Sequence, residues 1–328
     1  ASDVYKRQGI NAVELLPINE FNGNISWGYN PNFYFAPDKA YGTPDDYKAF
    51  IDACHANGIA VILDMVFNQT DWQHPWYRLY PEGSNPFYNA TAPHAYSVLN
   101  DWNQGNPLVQ QQFEDCLRYW LEEYRVDGFR FDLMGLHDIE TMNMLRDEMD
   151  KLDPQILMYG EGWTGGETPY PTDKLSYKWN SYSFGRIGLF NDNIRDGIKG
   201  GTFNLHETGF VNGNHHTFNT IKRGITANSR YRALQGTADD LCWAFSPAQA
   251  INYCEAHDNH TLWDKLAISA SSYSADERRR MDKLAAAIVL LSQGVPFIQL
   301  GQDFLRSKPK IFRDGEQRSD TNIYDGNS

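Results

Sequence analysis

Asp132, Glu161 and Asp258 are carboxylates that each stand at the end of an apolar run. In Phe129-Arg-Phe-Asp-Leu133, apolar and charged residues alternate, which is a strand signature. Side chains two apart on a strand share a face. Arg130 and Asp132 are therefore expected side by side, guanidinium against carboxylate. A neighbouring cation keeps a carboxylate ionised, and attack on a sugar carbon needs that state. Glu161 lies between two glycines with Trp163 just beyond. A poorly hydrated, aromatic setting favours the protonated acid and suits a proton donor. One nucleophile and one donor suffice for retaining glycoside hydrolysis. Asp258, next to His257, is then available to steady an oxocarbenium-like state. Taken singly, each feature has a plainer reading: a structural ion pair, a turn carboxylate, a capping pair.

The flanking elements decide whether these residues can meet. Residues 10–17 and 59–67 read as buried strands, the second nearly continuous apolar apart from Asp64. Residues 44–57 read as a helix, with Thr43 as N-cap, Pro44 in the first turn and Gly58 as the stop. Further helices are expected over 107–124, 138–152, 192–199 and 276–292. Further strands are expected over 128–133, 156–159, 187–190, 250–255 and 295–300. Residues 68–106 show no period and read as a long loop insertion after the Asp64 strand. Residues 200–246 read as irregular.

Alternating strands and helices mean βα units and a parallel sheet. Polar residues gather just past the strands, where a (β/α)8 TIM barrel carries its active site. A doubly wound sheet is the alternative, but no Gly-x-Gly-x-x-Gly loop follows an early strand. Seven strand candidates leave one of eight unaccounted for. The expectation is an incomplete barrel over residues 9–328, lacking its first strand and its C-terminal end. Residues 1–8 are expected to be a leader foreign to the fold.

Composition narrows the partners. A net charge of −13 over 328 residues opposes nucleic-acid or anionic-membrane binding. No apolar run approaches the roughly 18 residues of a membrane span. Cys54, Cys116, Cys242 and Cys254 show no Cys-x-x-Cys pairing and read as buried small residues.

Four short segments occur in order: Asp64-Met-Val-Phe-Asn-Gln69, Gly128-Phe-Arg-Phe-Asp-Leu-Met-Gly135, Gly160-Glu-Gly-Trp163 and Ala256-His-Asp-Asn259. Together they resemble the motifs of the α-amylase family of glycoside hydrolases, over residues 9 to about 303. The resemblance implies Asp132 as nucleophile, Glu161 as acid/base and Asp258 as transition-state stabiliser. It implies Arg130 and His257 at the central sugar subsite, Tyr29 stacking on that sugar, and Asp64 as the structural aspartate. Within the family, residues 131–138, 255–265 and 301–306 resemble type I pullulanases, which cleave α-1,6 branches. Plain α-amylases carry Lys-His where Gly135 and Leu136 stand here. Residues 24–43 look equally like amylases and branching enzymes, so α-1,4 action stays open.

There are departures. Gln69 replaces a histidine that contacts the central sugar; it can donate but cannot carry charge. The family's calcium site uses Asn68 and a histidine in place of Leu136. Calcium needs several oxygens, so that site is expected to be incomplete and no cofactor is required. The resemblance points to an extracellular or periplasmic setting. Trp27, Trp72, Trp76, Trp102, Trp163 and Trp263 are candidates for stacking on sugar rings, so a non-catalytic α-glucan-binding protein is a competing class. A metal-dependent barrel hydrolase is disfavoured, because Arg130 would repel a cation beside Asp132 and no His-x-His follows an early strand.

Overall fold

The computed structural model describes residues 6–81, 83–89, 100–165, 170–230, 241–308, 310–313 and 316–319. Residues 1–5 of the expected leader, 90–99 of the loop insertion, and the stretch after 319 lie outside them. Residues 6–8 form an exposed turn. The chain divides into two compact units, one running to Ile187 and one from Gly188 onward.

The first unit is built on four parallel strands, β1 (Ala12–Leu15), β4 (Ala60–Met65), β7 (Gly128–Phe131) and β8 (Leu157–Gly160), in that order across the sheet. Between them come a small antiparallel ribbon, β2 (Asn19–Phe21) with β3 (Pro31–Pro37), and the helices that return the chain. Helix α1 (Pro44–Ala56) starts as its sequence dictates. Thr43 and Asp46 form a reciprocal capping box, with Pro44 in the first turn. The 68–106 segment contains a two-residue antiparallel pair, β5 (Gln69–Thr70) with β6 (Asn100–Asp101), and one helical turn, α2 (Pro75–Arg78). Helix α3 (Pro107–Tyr124) buries Val109, Phe113, Cys116, Leu117, Trp120 and Tyr124, a three-four spacing that lays one stripe on the core. Phe113 stacks on Phe67 at 4.3 Å between centroids. Helix α4 (Ile139–Leu152) is capped by Asp138, whose carboxylate accepts from the Thr141 N–H.

Register sorts the two faces. Asp64, Arg130 and Tyr159 lie in one row across β4, β7 and β8, and Glu14 pairs with Ile62 on β1 and β4. Alternation then puts Glu14, Ile62, Asp64, Arg130 and Tyr159 on one face, and Val61, Leu63, Phe129 and Phe131 on the helix-covered face. The Tyr159 hydroxyl donates to Glu14 at 2.5 Å, from β8 to β1. On a flat sheet those strands would be about 14 Å apart, and side chains stand roughly perpendicular to a sheet. The tips meet because the sheet curls towards this face. Gly128 permits the close strand approach. A Cβ there would lie 2.7 Å from the Leu157 Cβ and 2.8 Å from its carbonyl oxygen.

The second unit has three parallel strands, β9 (Gly188–Asn191), β10 (Ala250–Asn252) and β11 (Val295–Pro296), in the order β9-β10-β11. Helices α5 (Asp192–Lys199), α6 (Phe218–Ile225), α7 (Leu262–Ser269) and α8 (Ala275–Leu291) accompany them. Ile194, Ile198, Ile221, Leu262, Leu266 and Val289 form its core. Cross-strand Asn191 and Asn252 are buried and bonded at 2.8 Å. A hairpin, β12 (Lys310–Arg313) with β13 (Glu316–Ser319), follows.

All seven expected main strands are present. Five are shorter than expected: 10–17 shrinks to Ala12–Leu15 and 59–67 to Ala60–Met65, while 128–133 ends at Phe131, 250–255 at Asn252 and 295–300 at Pro296. Two short helices break expectation, α6 inside the supposedly irregular 200–246 and α7 after the His257-Asp258 motif. Each is eight residues long, about two turns.

Candidate active site

Arg130 organises the inner face of the first unit. Its guanidinium is buried, and its Nη1 donates to Asp64 Oδ1 at 2.8 Å and to Asp132 Oδ1 at 3.0 Å. Its Nη2 donates to Glu161 Oε1 at 2.6 Å. The planar fork suits this task, because it offers several donors in fixed directions. The expected Arg130–Asp132 pair is present, although Asp132 lies just past the strand rather than on it. Arg130 is also shared with Glu161, so Glu161 is not the solitary acid in an aromatic setting that its neighbours in sequence suggested.

The turn after β7 completes the cradle. Leu133 takes a left-handed conformation with φ of 43°, a costly choice for a branched residue. Its N–H donates to Glu161 Oε2 at 2.8 Å. Both carboxylate oxygens of Glu161 are thereby held. Asn68 Nδ2 reaches Asp132 Oδ2 at 3.3 Å, so both oxygens of Asp132 are also contacted. Asp132 keeps 15% of its side chain accessible, while Asp64 keeps none. Asp132 is therefore the more reachable of the two.

Asp64 accepts from the Tyr29 hydroxyl at 2.7 Å as well as from Arg130. Burial pushes its carboxyl up, to about 8. Arg130 opposes that push, and the charges of Asp132 and Glu14 add to it. Gln69 is buried, and its Nε2 donates to the backbone oxygen of Tyr29 at 2.8 Å, while its Oε1 has no protein partner. So Tyr29 is held at both ends, by Asp64 and by Gln69.

Gly135 and Trp163 meet across two motifs. A Cβ on Gly135 would lie 2.4 Å from the Trp163 carbonyl oxygen and 2.9 Å from its N. Any side chain at 135 is sterically excluded while Trp163 keeps this path. The Trp163 side chain is half-buried. Of the other tryptophans named for stacking, Trp27 and Trp102 are core residues; Trp102 stacks on Tyr88 at 4.4 Å and donates to the Tyr34 hydroxyl. Trp72 is exposed.

His257 and Asp258 belong to the second unit. His257 Nε2 is 3.7 Å from Asp258 Oδ2, and the His257 carbonyl accepts from Lys308 Nζ at 2.6 Å. Asp258 is the more accessible, with 37% of its side chain exposed.

At the positions of the family's calcium site, Asn68 turns its amide nitrogen to Asp132 while its Oδ1 has no protein partner, and Leu136 is a buried apolar side chain. Among the described residues no three His, Cys, Asp or Glu side chains converge as metal ligands. No helix among them is long and apolar enough to cross a membrane.

Two residues of this face escaped the sequence reading, Glu14 and Tyr159. The available signals were a lone carboxylate inside the apolar 10–17 run and a tyrosine two places before Glu161.

The chain is similar to the α-amylase family of glycoside hydrolases. The family model "Alpha amylase, catalytic domain" matches residues 3–94. Within that family the chain is similar to pullulanases. It is 37% identical to the pullulanase of Bacillus subtilis strain 168 over 93% of this chain and 44% of that protein. It is 30% identical to pullulanase A of Streptococcus pneumoniae strain D39 over 95% of this chain and 26% of that protein. The pullulanase of Anoxybacillus sp. LM18-11, solved with maltotetraose, superimposes with a TM-score of 0.86 at 37% identity, covering 98% of this chain and 47% of that one. The pullulanase of Paenibacillus barengoltzii, solved with maltohexaose and α-cyclodextrin, gives a TM-score of 0.85 at 34% identity, covering 97% of this chain and 51% of that one. The chain thus spans about half the length, or less, of these relatives, and it has the fold of the α-amylase catalytic domain.

Proposed function

We propose that this chain is catalytic and cleaves α-glucans, with α-1,6 branch bonds as its preferred target, by double displacement. The reading rests on Arg130 holding Asp132 and Glu161 to one guanidinium on one face of the sheet. In the first step, protonated Glu161 gives its proton to the glycosidic oxygen while an Asp132 oxygen bonds to the anomeric carbon. The bond to the leaving sugar breaks and a glycosyl-enzyme ester remains. In the second step, Glu161 takes a proton from water, the water oxygen bonds to the anomeric carbon, and Asp132 leaves as carboxylate. Asp258 stabilises the transition state and His257 contacts the central sugar; both assignments rest on the motif in which they stand.

Three things favour debranching over plain amylase action. The residues around the nucleophile resemble pullulanases, the similar structures are pullulanases, two of them solved with α-glucan oligosaccharides, and Gly135 has no room for the lysine an amylase carries there. Calcium has no role in this reading: chelation with EDTA is expected to leave rate and melting temperature unchanged, and a loss of either would overturn that statement. The resemblance favours a secreted or periplasmic enzyme, which cell fractionation tests.

Product analysis on pullulan beside amylose is the deciding experiment. Maltotriose from pullulan is the expected result. Short maltooligomers from amylose alone would make it an α-1,4 enzyme. Glucan binding with no new reducing ends from either polymer would favour the non-catalytic reading. Asp132→Asn and Glu161→Gln are expected to lower kcat by about a thousandfold or more while retaining glucan binding.

A further inference from the structure

The inner face of the first unit sets four acids against one guanidinium. Arg130 bonds Asp64, Asp132 and Glu161. Burial pushes the carboxyl of the fourth acid, Glu14, up, and Arg130 is near enough to oppose that push. Arg130 reaches Asp64, Asp132 and Glu161 through its two terminal nitrogens, and Glu14 lies on β1, on the far side of Asp64 from Glu161, so turning those nitrogens to Glu14 would turn them away from Glu161. Instead, Glu14 Oε2 accepts the Tyr159 hydroxyl at 2.5 Å. Burial, then the charge of Glu14, keeps that hydroxyl protonated well above the ordinary tyrosine range, so the tyrosine is the donor. Tyr159 is in register with Arg130 and two residues before Glu161. A hydroxyl at this place ties off the competing acid directly beside the clamp.

We propose that Tyr159 and Glu14 are positioning residues: the Tyr159 hydroxyl neutralises the pull of Glu14, so that Arg130 faces Asp132 and Glu161. Neither touches the reacting atoms. The pair also braces the curl of the sheet, since it joins β1 to β8 across two intervening strands. The inference deepens the glycosidase reading and rests on it for its kinetic test.

The test is kinetic, in the full chain, on whichever of pullulan or amylose the wild type cleaves. Tyr159→Phe is expected to lower kcat about tenfold or more with KM within about twofold, because the clamp matters more to the transition state than to binding. Adding Glu14→Gln removes the competing charge and is expected to bring kcat back to within about threefold of wild type, a coupling that mere loss of packing does not produce. A double variant as slow as Tyr159→Phe, or a Tyr159→Phe enzyme with wild-type kcat, overturns the proposal. If Tyr159→Phe does not fold, Glu14→Gln alone decides. The titratable and charged groups facing it are Asp64, Arg130 and Tyr159. Removing one negative charge from among them is expected to move the acid limb of the pH–rate profile to lower pH, and a superimposable profile overturns the proposal. If the wild type cleaves neither polymer, the functional reading falls on its own. The inference is then settled by the crystal structure of Tyr159→Phe: Arg130 turned to Glu14 supports it, and Arg130 unmoved on Asp132 and Glu161 overturns it.

Discussion

Arg130 Nη2 lies 2.6 Å from Glu161 Oε1, joining the middle of β7 to the residue just past β8 in a buried ion pair. The same guanidinium holds Asp132 through its other terminal nitrogen. The proposed nucleophile and the proposed proton donor are thus held to one guanidinium. A buried pair of this kind adds little net stability, but breaking it leaves uncompensated charge.

Replacing Arg130 separates these effects. Arg130→Met is expected to cost about 3–5 kcal/mol in urea unfolding, because three carboxylates lose their cation. Arg130→Lys keeps the charge but loses the fork. It is expected to fold and to lose kcat by about a hundredfold, measured by steady-state hydrolysis.

Gln69 gives one of its two amide N–H donors to the Tyr29 carbonyl at 2.8 Å. A histidine there has two ring nitrogens, one for that carbonyl and one for the sugar. Gln69→His is therefore expected to lower KM by about fivefold, the worth of about 1 kcal/mol from one added hydrogen bond, with kcat little changed. Unchanged kinetics would show that position 69 does not reach the sugar.

Gly135→Ala tests the close approach to Trp163. The added Cβ would sit 2.4 Å from a carbonyl oxygen that belongs to backbone and cannot rotate away. The Glu161–Trp163 segment has to shift. The expected cost is about 1–3 kcal/mol of stability, together with a fall in kcat larger than any change in KM. Both are read from unfolding and kinetics on one preparation.

His74 should make the first unit acid-sensitive. It is buried, its Nδ1 accepts the Trp76 N–H and lies 3.0 Å from the Tyr88 hydroxyl, and burial lowers its pKa to about 4. Between about pH 6.5 and 4 the unfolded chain binds a proton here that the native chain does not. Stability from this group is present above that window and is lost as pH falls through it, on the order of 3 kcal/mol in all. Urea unfolding at pH 7 and pH 5 is expected to show this loss, with a smaller difference in His74→Gln.

Local features were legible in the sequence because local physics makes them. Thr43, Asn106 and Asp138 cap their helices through bonds to residues two or three places on. Alternation at 129–133 predicted a strand, which ends at Phe131, and the pairing of Arg130 with Asp132. Ordered motifs past apolar runs picked out Asp64, Asp132 and Glu161 before any fold was known. Other features have no local signature. Tyr159 and Glu14 are 145 residues apart, and nothing near either one names the other. Only the curling of a four-strand sheet brings their tips together. The sharing of Arg130 between Asp132 and Glu161, and the fit of Gly135 under Trp163, likewise arise from parallel strands placed side by side. The sequence by itself determined which residue types stand at the strand ends; tertiary structure alone decided how one cation is divided among three acids while a tyrosine takes the fourth, because that division depends on distances between strands and not on positions along the chain.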